Sequence, residues 1–304
     1  MRPDLSVIIV EWNTRDLLRD CLTSVCARHA IRTEVIVIDN ASSDGSAEMV
    51  AAEFPQVTLI RNGENRGFAA ATNQGLAESR GRHFLLLNSD TRVLGSVLEA
   101  SVRYLDAHPD VGAMGCRVLN PDGTVQRTCS GWPRLTDLVF MATGLWKLPR
   151  PRRLGRYLMT QWSRDTEREV EVISGCYLLI RAAVVAEVGP LDEAFFFFGE
   201  ETDWCRRIRA AGWRLMFAPV GEIVHHGSAS ARRLSHRRDL MLTQATVRLH
   251  RKHGGPGAGH AAWAILFAFN LSRALMWSVR WRHSGRAQHF RGVVAGMLRP
   301  SRRT

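Results

Sequence analysis

Residues 5–46 read LSVIIVEWNTRDLLRDCLTSVCARHAIRTEVIVIDNASSDGS, and this stretch decides the fold class. It opens with an apolar run, continues with a helical pattern of apolar and charged residues, and returns to a second apolar run that ends in a polar cluster. Short strands that alternate with helical segments are typical of βαβ units, in which crossover helices join parallel strands. The stretch therefore predicts an α/β fold with a mostly parallel sheet flanked by helices.

The same alternation continues along the chain. Apolar runs predict five strands in the first half: Leu5–Val10, Glu34–Asp39, Val57–Arg61, Phe84–Asn88 and Val111–Arg117. Helical patterns predict the four helices between them: Arg15–Ala27, Ala47–Glu53, Ala69–Ser79 and Ser96–His108. Farther on, the sequence predicts a strand at Glu171–Ile180, a helix at Thr202–Ala211, and two short strands at Leu215–Ala218 and Glu222–His225. Residues 129–171 show no period, so we expect a long functional loop there.

Composition limits what the chain can be. A length of 304 residues suits one large α/β domain with an appendage. The six cysteines show no close pairing, so we expect reduced thiols in the cytosol rather than a disulfide framework or a zinc site. The N-terminus runs directly into the first strand without the longer apolar core of a signal peptide, which also indicates a cytoplasmic protein.

The positive charge is concentrated near the C-terminus. Residues 231–304 contain fifteen Lys/Arg and one acid, a net charge of +14, while the remaining chain carries −2. A helical run at Ser235–Lys252, a Gly/Pro break at Gly254–Gly259 and an apolar run at Ala261–Val279 follow one another. A central arginine such as Arg273 disfavours membrane insertion by roughly 2.5–3.5 kcal/mol, so we favour an interfacial helix on an anionic membrane surface. A spanning helix and an ordinary buried helix remain alternatives, and the apolar content argues against nucleic acid as the partner.

Polar residues follow three of the first four predicted strands: Glu11-Trp12-Asn13, the loop from Asp39 to Gly45, and Asn88-Ser89-Asp90. Ligands of an open parallel sheet bind at the carboxyl ends of its strands. Asp39 can accept a hydrogen bond from a base or ribose, Trp12 offers a stacking face, and Asp90 is a hard oxygen ligand for a divalent cation. No Gly-x-Gly-x-x-Gly follows the first strand and no Gly-x-x-x-x-Gly-Lys-Ser/Thr occurs, which argues against dinucleotide oxidoreductases and P-loop hydrolases.

A further carboxylate cluster lies in Phe195-Phe-Phe-Phe-Gly-Glu200-Glu201-Thr202-Asp203-Trp204. Apolar surroundings and neighbouring like charges both raise the pKa of a carboxyl group, which suits a general base. The alternative is a helix N-terminus, where Glu201 and Asp203 complement the dipole and Thr202 caps the helix. The residues alone leave both interpretations open.

Five segments in this order resemble the motif set of family-two glycosyltransferases: Ser6 to Asn13, Val37 to Ser46, Asn65 to Gly75, Leu85 to Asp90, and Phe195 to Trp204. The resemblance covers residues 5–230 and is strongest to the rhamnosyltransferase-like branch of bacterial cell-surface polysaccharide synthesis. It implies the Rossmann-like GT-A fold of nucleotide-diphospho-sugar transferases. Residues 1–230 would form this domain, with a nucleotide-sugar-binding half at 1–120 and an acceptor and catalytic half at 121–230. Residues 231–304 would then form a basic helical tail that associates with the membrane.

The resemblance also implies an activity. The enzyme would transfer a sugar, with inversion, from a nucleotide-diphosphate donor to a saccharide or a polyprenyl-diphosphate-linked acceptor. It would use a divalent cation, Mg²⁺ or Mn²⁺, and work at the inner face of the plasma membrane. Rhamnose is one candidate for the transferred sugar.

The matching positions receive roles through the same resemblance. Asp39 and Trp12 would contact the nucleobase, and the donor-binding segment would consist of Asn65, Gly67, Phe68 and Asn73. Asn88 replaces the first carboxylate of the family's Asp-x-Asp and would bond a ribose hydroxyl. Asp90 would bind the metal, and His225 would complete the metal shell or touch the diphosphate.

The acidic pair supplies the catalytic residue. Glu201 matches the second member of the pair and would be the general base, with Asp203 as the alternative. Two other functions compete with transfer. A non-catalytic sugar-nucleotide-binding or membrane scaffold differs from an enzyme by forming no product. A sugar nucleotidyltransferase normally has a Gly-rich basic loop after the first strand, which Glu11-Trp-Asn-Thr lacks.

Overall fold

A computed structural model describes residues 2–143, 155–227, 235–280 and 285–299 of the chain. The strands within these ranges are β1 (Leu5–Glu11), β2 (Thr33–Asp39), β3 (Thr58–Arg61), β4 (His83–Asn88), β5 (Thr91–Val93), β6 (Val111–Leu119), β7 (Cys129–Ser130), β8 (Arg168–Glu169), β9 (Val172–Ile173), β10 (Tyr177–Arg181) and β11 (Arg214–His225). The helices are α1 (Arg15–Val25), α2 (Ser46–Glu53), α3 (Phe68–Glu78), α4 (Val97–Ala107), α5 (Leu135–Thr143), α6 (Gly155–Leu158), α7 (Ala182–Val188), α8 (Glu200–Ala210), α9 (Ser235–Arg280) and α10 (Gly285–Leu298).

Most of the strands form one sheet in the order β3-β2-β1-β4-β10-β6-β11-β5, with β8 also paired to β11. The first four run parallel to one another, and β10 is inserted antiparallel between β4 and β6. Successive residues of β1 enter two different cores, because Val7 and Ile9 pack with α1, α2 and α4 whereas Ile8 packs with α3, α7 and α8. The sheet is therefore covered on both faces, and the predicted α/β fold is confirmed.

Two predicted strand boundaries are wrong. The single strand expected at Glu171–Ile180 is two strands, β9 and β10, because the chain turns at Ser174, whose N–H donates to the carbonyl of Thr128. The two short strands expected at Leu215–Ala218 and Glu222–His225 are one strand, β11. The strand continues through Pro219, where the sequence pattern is interrupted, and its register against β6 shifts between Phe217 and Glu222.

Residues 129–171 contain more structure than the missing period predicts, namely β7, α5, α6 and β8. The guanidinium of Arg164 helps to organise this region. Arg164 is almost fully buried and donates hydrogen bonds to the carbonyl oxygens of Trp162, Met159, Leu158 and Cys129. The four carbonyl groups are thus satisfied by the Arg164 side chain and need no strand or helix hydrogen bonds, which is why this region is ordered without a periodic sequence pattern.

The chain forms two compact units. One comprises Met1–Trp132, Leu158–Phe196 and Glu200–Ser230 and contains the sheet. The other comprises Pro133–Tyr157, Phe197–Gly199 and Ala231–Thr304 and contains α5, α9 and α10. The predicted Gly/Pro break appears in α9 as a kink at Gly255, whose φ of 80° is left-handed and precedes Pro256.

Helix α9 has the length and apolar composition needed to cross a membrane. The qualifying helix spans His236–Val279, and only 17% of its most apolar window is buried. Exposed apolar side chains on this helix include Trp263, Leu275 and Val279. Burial within the protein therefore does not explain the hydropathy of α9, and the alternative of an ordinary buried helix loses support.

Candidate active site

Asp39 is a buried carboxylate at the carboxyl end of β2. Its Oδ2 accepts a hydrogen bond from the backbone N–H of Ser42 at 3.4 Å, while Oδ1 has no hydrogen-bond partner in the described part of the chain. Burial raises the pKa of Asp39, and the Ser42 hydrogen bond opposes the shift. A buried acceptor left unsatisfied costs free energy that a ligand donor can recover. Trp12 lies one residue beyond Glu11, the register partner of Asp39 in β1.

Glu11 is a buried carboxylate to which the sequence analysis assigns no function. It is fully buried at the end of β1 and accepts hydrogen bonds from the N–H and hydroxyl of Thr14 and from the hydroxyl of Ser46. The Thr14 hydroxyl in turn lies 2.9 Å from that of Ser89. Burial raises the pKa of Glu11, although these hydrogen bonds lower it in part. This network joins the loops that follow β1, β2 and β4. In the sequence, the only indication of such a role is that a carboxylate ends an apolar strand.

Asn40 shapes the predicted donor-binding segment. Its Nδ2 donates to Oδ1 of Asn65 at 3.0 Å and to the carbonyl of Gly67 at 3.2 Å, while its Oδ1 accepts from the N–H of Arg66 at 3.0 Å. Asn65 Oδ1 also accepts from the N–H of Gly67. The side chain of Asn40 thereby folds this loop over the end of β2, a role that the sequence reasoning missed.

Gly67 and Phe68 contact the segment that precedes the acidic pair. The N–H of Phe68 donates to the carbonyl of Phe196 at 2.7 Å. Gly67 has a φ of 81°, and a Cβ at this position would lie 2.5 Å from the same carbonyl oxygen. Only glycine fits here, because both the backbone angle and the approach of Phe196 exclude a side chain.

Asn73 lies on α3 and faces the same segment. Its Oδ1 accepts from the N–H of Leu191, and its Nδ2 donates to the carbonyl of Leu191, both at 3.0 Å. The Nδ2 also donates to Oε1 of Glu193 at 2.9 Å. The structure thus places Asn73 against the chain that leads to α8.

Asp90 and His225 meet at the ends of β4 and β11. Asp90 Oδ1 lies 3.1 Å from Nε2 of His225, and Nδ2 of Asn88 lies 3.2 Å from the same nitrogen. Gln126 donates from Nε2 to the carbonyl of His225, which turns its Oε1 toward Nδ1 of His225 at 2.9 Å. That hydrogen bond places a ring proton on Nδ1, and Nε2 is the ring nitrogen that faces Asp90 and Asn88.

This arrangement fits a divalent cation. An imidazole nitrogen beside a carboxylate oxygen is a donor set that a divalent cation can use, and a ligating histidine usually donates its other N–H to an oxygen, as His225 does to Gln126. Across the described residues no group of three or more His, Cys, Asp or Glu could hold a metal. Magnesium and manganese commonly use one or two carboxylates together with substrate phosphates, so Asp90 and His225 would suffice with a diphosphate present.

The acidic pair opens α8, and its two carboxyl groups differ. Glu200 is buried, and its Oε2 has no hydrogen-bond partner among the described residues. Burial raises the pKa of Glu200 well above its ordinary value, and the negative charge of Glu201 raises it further. Glu201 is only half-buried. Burial thus disfavours the charged form of Glu200, and the side chain of Glu201 is the more exposed of the two.

Asp203 forms a buried ion pair within α8. It is fully buried, and its Oδ2 accepts from Nε of Arg207 at 2.9 Å. Arg207 also donates to the carbonyls of Val188 at 2.7 Å and Pro190 at 2.6 Å. The interpretation of Thr202 as an N-cap is wrong, because α8 begins at Glu200 and Thr202 lies inside its first turn.

Cys176 lies between β9 and β10. Its carbonyl accepts a hydrogen bond from the N–H of Asn88 at 3.3 Å. Burial raises the pKa of its thiol to about 12, and the negative charges of Asp90 and Glu201 raise it further.

Known proteins are similar to this chain in sequence. The chain is 26% identical over 242 residues to the N-acetylglucosaminyl-diphospho-decaprenol L-rhamnosyltransferase of Mycobacterium tuberculosis, covering 75% of this chain and 78% of that protein. It is 28% identical over 239 residues to the O-antigen biosynthesis protein RfbC of Myxococcus xanthus, covering 76% of this chain and 18% of that protein.

Solved structures agree on the fold. The mannosyltransferase PcManGT from Pyrobaculum calidifontis, in complex with GDP-Man and Mn²⁺, matches with a TM-score of 0.55 at 18% identity, covering 97% of this chain and 86% of the other. The predicted GT-A fold is thereby confirmed. The model for "Glycosyl transferase family 2" matches residues 6–187. This match extends over more than half of the sequence, and the chain accordingly belongs to glycosyl transferase family 2.

Proposed function

We propose that this glycosyltransferase transfers a sugar, with inversion, from a nucleotide-diphosphate donor to a saccharide or polyprenyl-diphosphate-linked saccharide in bacterial cell-surface polysaccharide synthesis. The observation that carries the proposal is the pairing of Asp90 with His225, whose Nε2 lies 3.1 Å from Oδ1 of Asp90 at the ends of β4 and β11. The proposal draws its acceptor class from the names of the relatives, one a decaprenol-linked rhamnosyltransferase and one an O-antigen biosynthesis protein. Rhamnose is the first donor sugar to test.

The reaction follows from the environments of the acidic pair. Glu201 takes the proton of the acceptor hydroxyl while the hydroxyl oxygen attacks the anomeric carbon. The new C–O bond forms on the face opposite the nucleotide diphosphate, whose own bond to that carbon breaks, so one displacement inverts the configuration. Burial raises the pKa of Glu200 well above its ordinary value, which disfavours a second negative charge beside the acceptor oxygen.

The donor is held by side chains from the strand ends. Asp39 offers its unsatisfied Oδ1 to the base, Trp12 stacks beside it, and Asn88 bonds a ribose hydroxyl. Asp90 and His225 would hold the divalent cation. When bound, that cation offsets the negative charge on the departing diphosphate.

The C-terminal helices support a peripheral location on the inner face of the plasma membrane. Trp263 and Phe267 stack at 4.7 Å on α9, and Trp263 is exposed. Arg273 lies over the ring of Phe269 and Arg286 over that of Trp277. Exposed aromatic side chains together with arginines are the features of helices that lie in a lipid interface.

A donor panel tests the proposed function. UDP-, GDP- and dTDP-sugars, including dTDP-rhamnose, are incubated with a lipid-diphosphate N-acetylglucosamine acceptor, with Mn²⁺ or with a chelator. We expect one donor to give product only with the metal, and NMR of the anomeric centre to show inversion. Tight nucleotide-sugar binding without any product from the panel would favour the scaffold function instead.

A further inference from the structure

Residues 189–196, here called the approach segment, join α7 to the chain that leads into α8. The first turn of α8 carries Glu200 and Glu201, so the position of this segment decides where the acidic pair lies. Its first residues are fixed from α8 itself, since Nε1 of Trp204 donates to the carbonyl of Gly189 at 2.9 Å and Arg207 donates to that of Pro190. The rest of the approach segment is held by residues of α3.

Helix α3 holds the middle of the approach segment through Asn73. Leu191 is buried, and its N–H and carbonyl oxygen both pair with the amide group of Asn73 at 3.0 Å. The side chain of Glu193 accepts the second amide hydrogen of Asn73. A primary amide has two donors and two acceptor lone pairs, so three of its four hydrogen-bonding positions are used on this segment.

The far end of the segment is held at the start of the same helix. Phe196 accepts from the N–H of Phe68, and its carbonyl and ring lie where a Cβ of residue 67 would be. Asn73 therefore holds the approach segment at Leu191, and Phe68 holds it at Phe196. Little of Asn73 is left to contact a sugar or a diphosphate.

We infer that Asn73 is a positioning residue for the general base and not a donor ligand. This inference rests on the proposed function and deepens it. By pairing with both backbone groups of Leu191, Asn73 sets the approach segment and, through it, the first turn of α8. Glu201 then meets the acceptor hydroxyl in the orientation that proton transfer requires.

The test compares Asn73→Ala with Glu193→Ala. Asn73→Ala removes both bonds to Leu191, whereas Glu193→Ala removes only the outer partner and leaves them intact. We expect kcat of Asn73→Ala to fall by about 10²-fold, as for other misplacements of about 1 Å, while KM for the donor and the affinity for the nucleoside diphosphate stay within twofold. Glu193→Ala should keep kcat near the wild-type value.

Hydrogen exchange supplies a readout that does not depend on turnover. In Asn73→Ala we expect faster exchange in the approach segment and the first turn of α8, with β1 and β2 unchanged. Asn73→Gln keeps both the amide donor and the amide acceptor, so it should restore part of kcat, and it replaces the alanine variant if that one does not fold.

Two results would overturn the inference. Tenfold weaker nucleotide binding with unchanged kcat would make Asn73 a donor ligand, and unchanged exchange with unchanged kcat would remove it from both roles. If the wild-type chain transfers no sugar from any donor, the proposed function fails, and the exchange result alone decides whether Asn73 holds the segment.

Discussion

Asp39 and Glu200 are among the buried carboxyl groups that leave one oxygen without a hydrogen-bond partner in the described ranges, and Glu99 is another. Burial raises the pKa of both Asp39 and Glu200. Unsatisfied buried acceptors cost stability, which a bound ligand can recover. At the residue scale, the roles proposed for Asp39 in binding and for Glu200 beside the base would account for that cost at these two residues.

Glu201→Gln tests the base directly. An amide cannot accept the acceptor's proton, so we expect turnover to fall about 10²–10⁴-fold, the usual contribution of general base catalysis. Nucleotide binding should persist, because the proposed donor contacts are Asp39, Trp12 and Asn88 and do not include Glu201. Steady-state kinetics and calorimetric titration with the nucleoside diphosphate measure the two effects. Full activity in this variant would refute the assignment of Glu201.

Glu200→Gln tests the neutral partner through stability. Because the pKa of Glu200 is raised in the folded state, its protonated form favours folding below the unfolded pKa, and that contribution is lost as pH rises through the folded pKa. The glutamine variant has no proton to lose. Its stability relative to wild type should therefore increase with pH, by about 1.4 kcal/mol per pH unit between the two pKa values.

Melting temperatures between pH 4 and pH 9 measure this difference. A gap between variant and wild type that stays constant over the range would show that Glu200 titrates alike in the folded and unfolded chain.

At the element scale, the sequence predicts those strands and helices whose positions depend on the local pattern of apolar and polar residues. The parallel strands β1, β2 and β4 and the helices between them follow apolar runs that end in polar clusters, and the structure has them there. The continuity of β11 and the break between β9 and β10 depend on partners distant in sequence, so local pattern fails. The contacts of Asn40 and Asn73 likewise exist only after tertiary folding, which is why Asn40 was overlooked.

Gly75→Ala tests how closely α3 packs on the sheet. A Cβ at Gly75 would overlap Cγ2 of Ile8 and lie 2.9 Å from Cδ1 of Ile38. Overpacking costs about 1–3 kcal/mol, and the gain in helix propensity offsets at most about 1 kcal/mol. We expect a net loss of about 1–2 kcal/mol and a lower Tm.

Gly63→Ala is the matched control. A Cβ at Gly63 would meet no atom within 4 Å, so Tm should change little. Equal melting temperatures for the two variants would mean that α3 can move away from β1 and β2 at no cost.

At the scale of the whole molecule, charge and apolar surface are concentrated in the C-terminal residues. The net charge of +14 lies within residues 231–304, and α9 exposes Leu275 and Val279, the latter 89% exposed. An anionic bilayer matches both properties, since each Lys or Arg near such a surface contributes about 1 kcal/mol.

Vesicle flotation of the full chain tests this match. We expect flotation with phosphatidylglycerol vesicles, little with phosphatidylcholine vesicles, and release at 1 M salt. The double variant Leu275→Ser and Val279→Ser should float less at an unchanged Tm, because both side chains are exposed. Retention through 1 M salt and alkaline carbonate would indicate the spanning alternative for α9, and failure to bind either lipid would refute membrane association.

The antiparallel insertion of β10 has a consequence for how the molecule folds. The strands β1, β2 and β3 pair across single crossover helices, whereas β10 pairs Tyr177 with Leu87 and β11 brings His225 to Asn88, 137 positions away. Contacts of such long sequence separation form late, because loop closure must come first. During refolding we expect β1, β2 and β3 to pair before Asn88 and His225 come together.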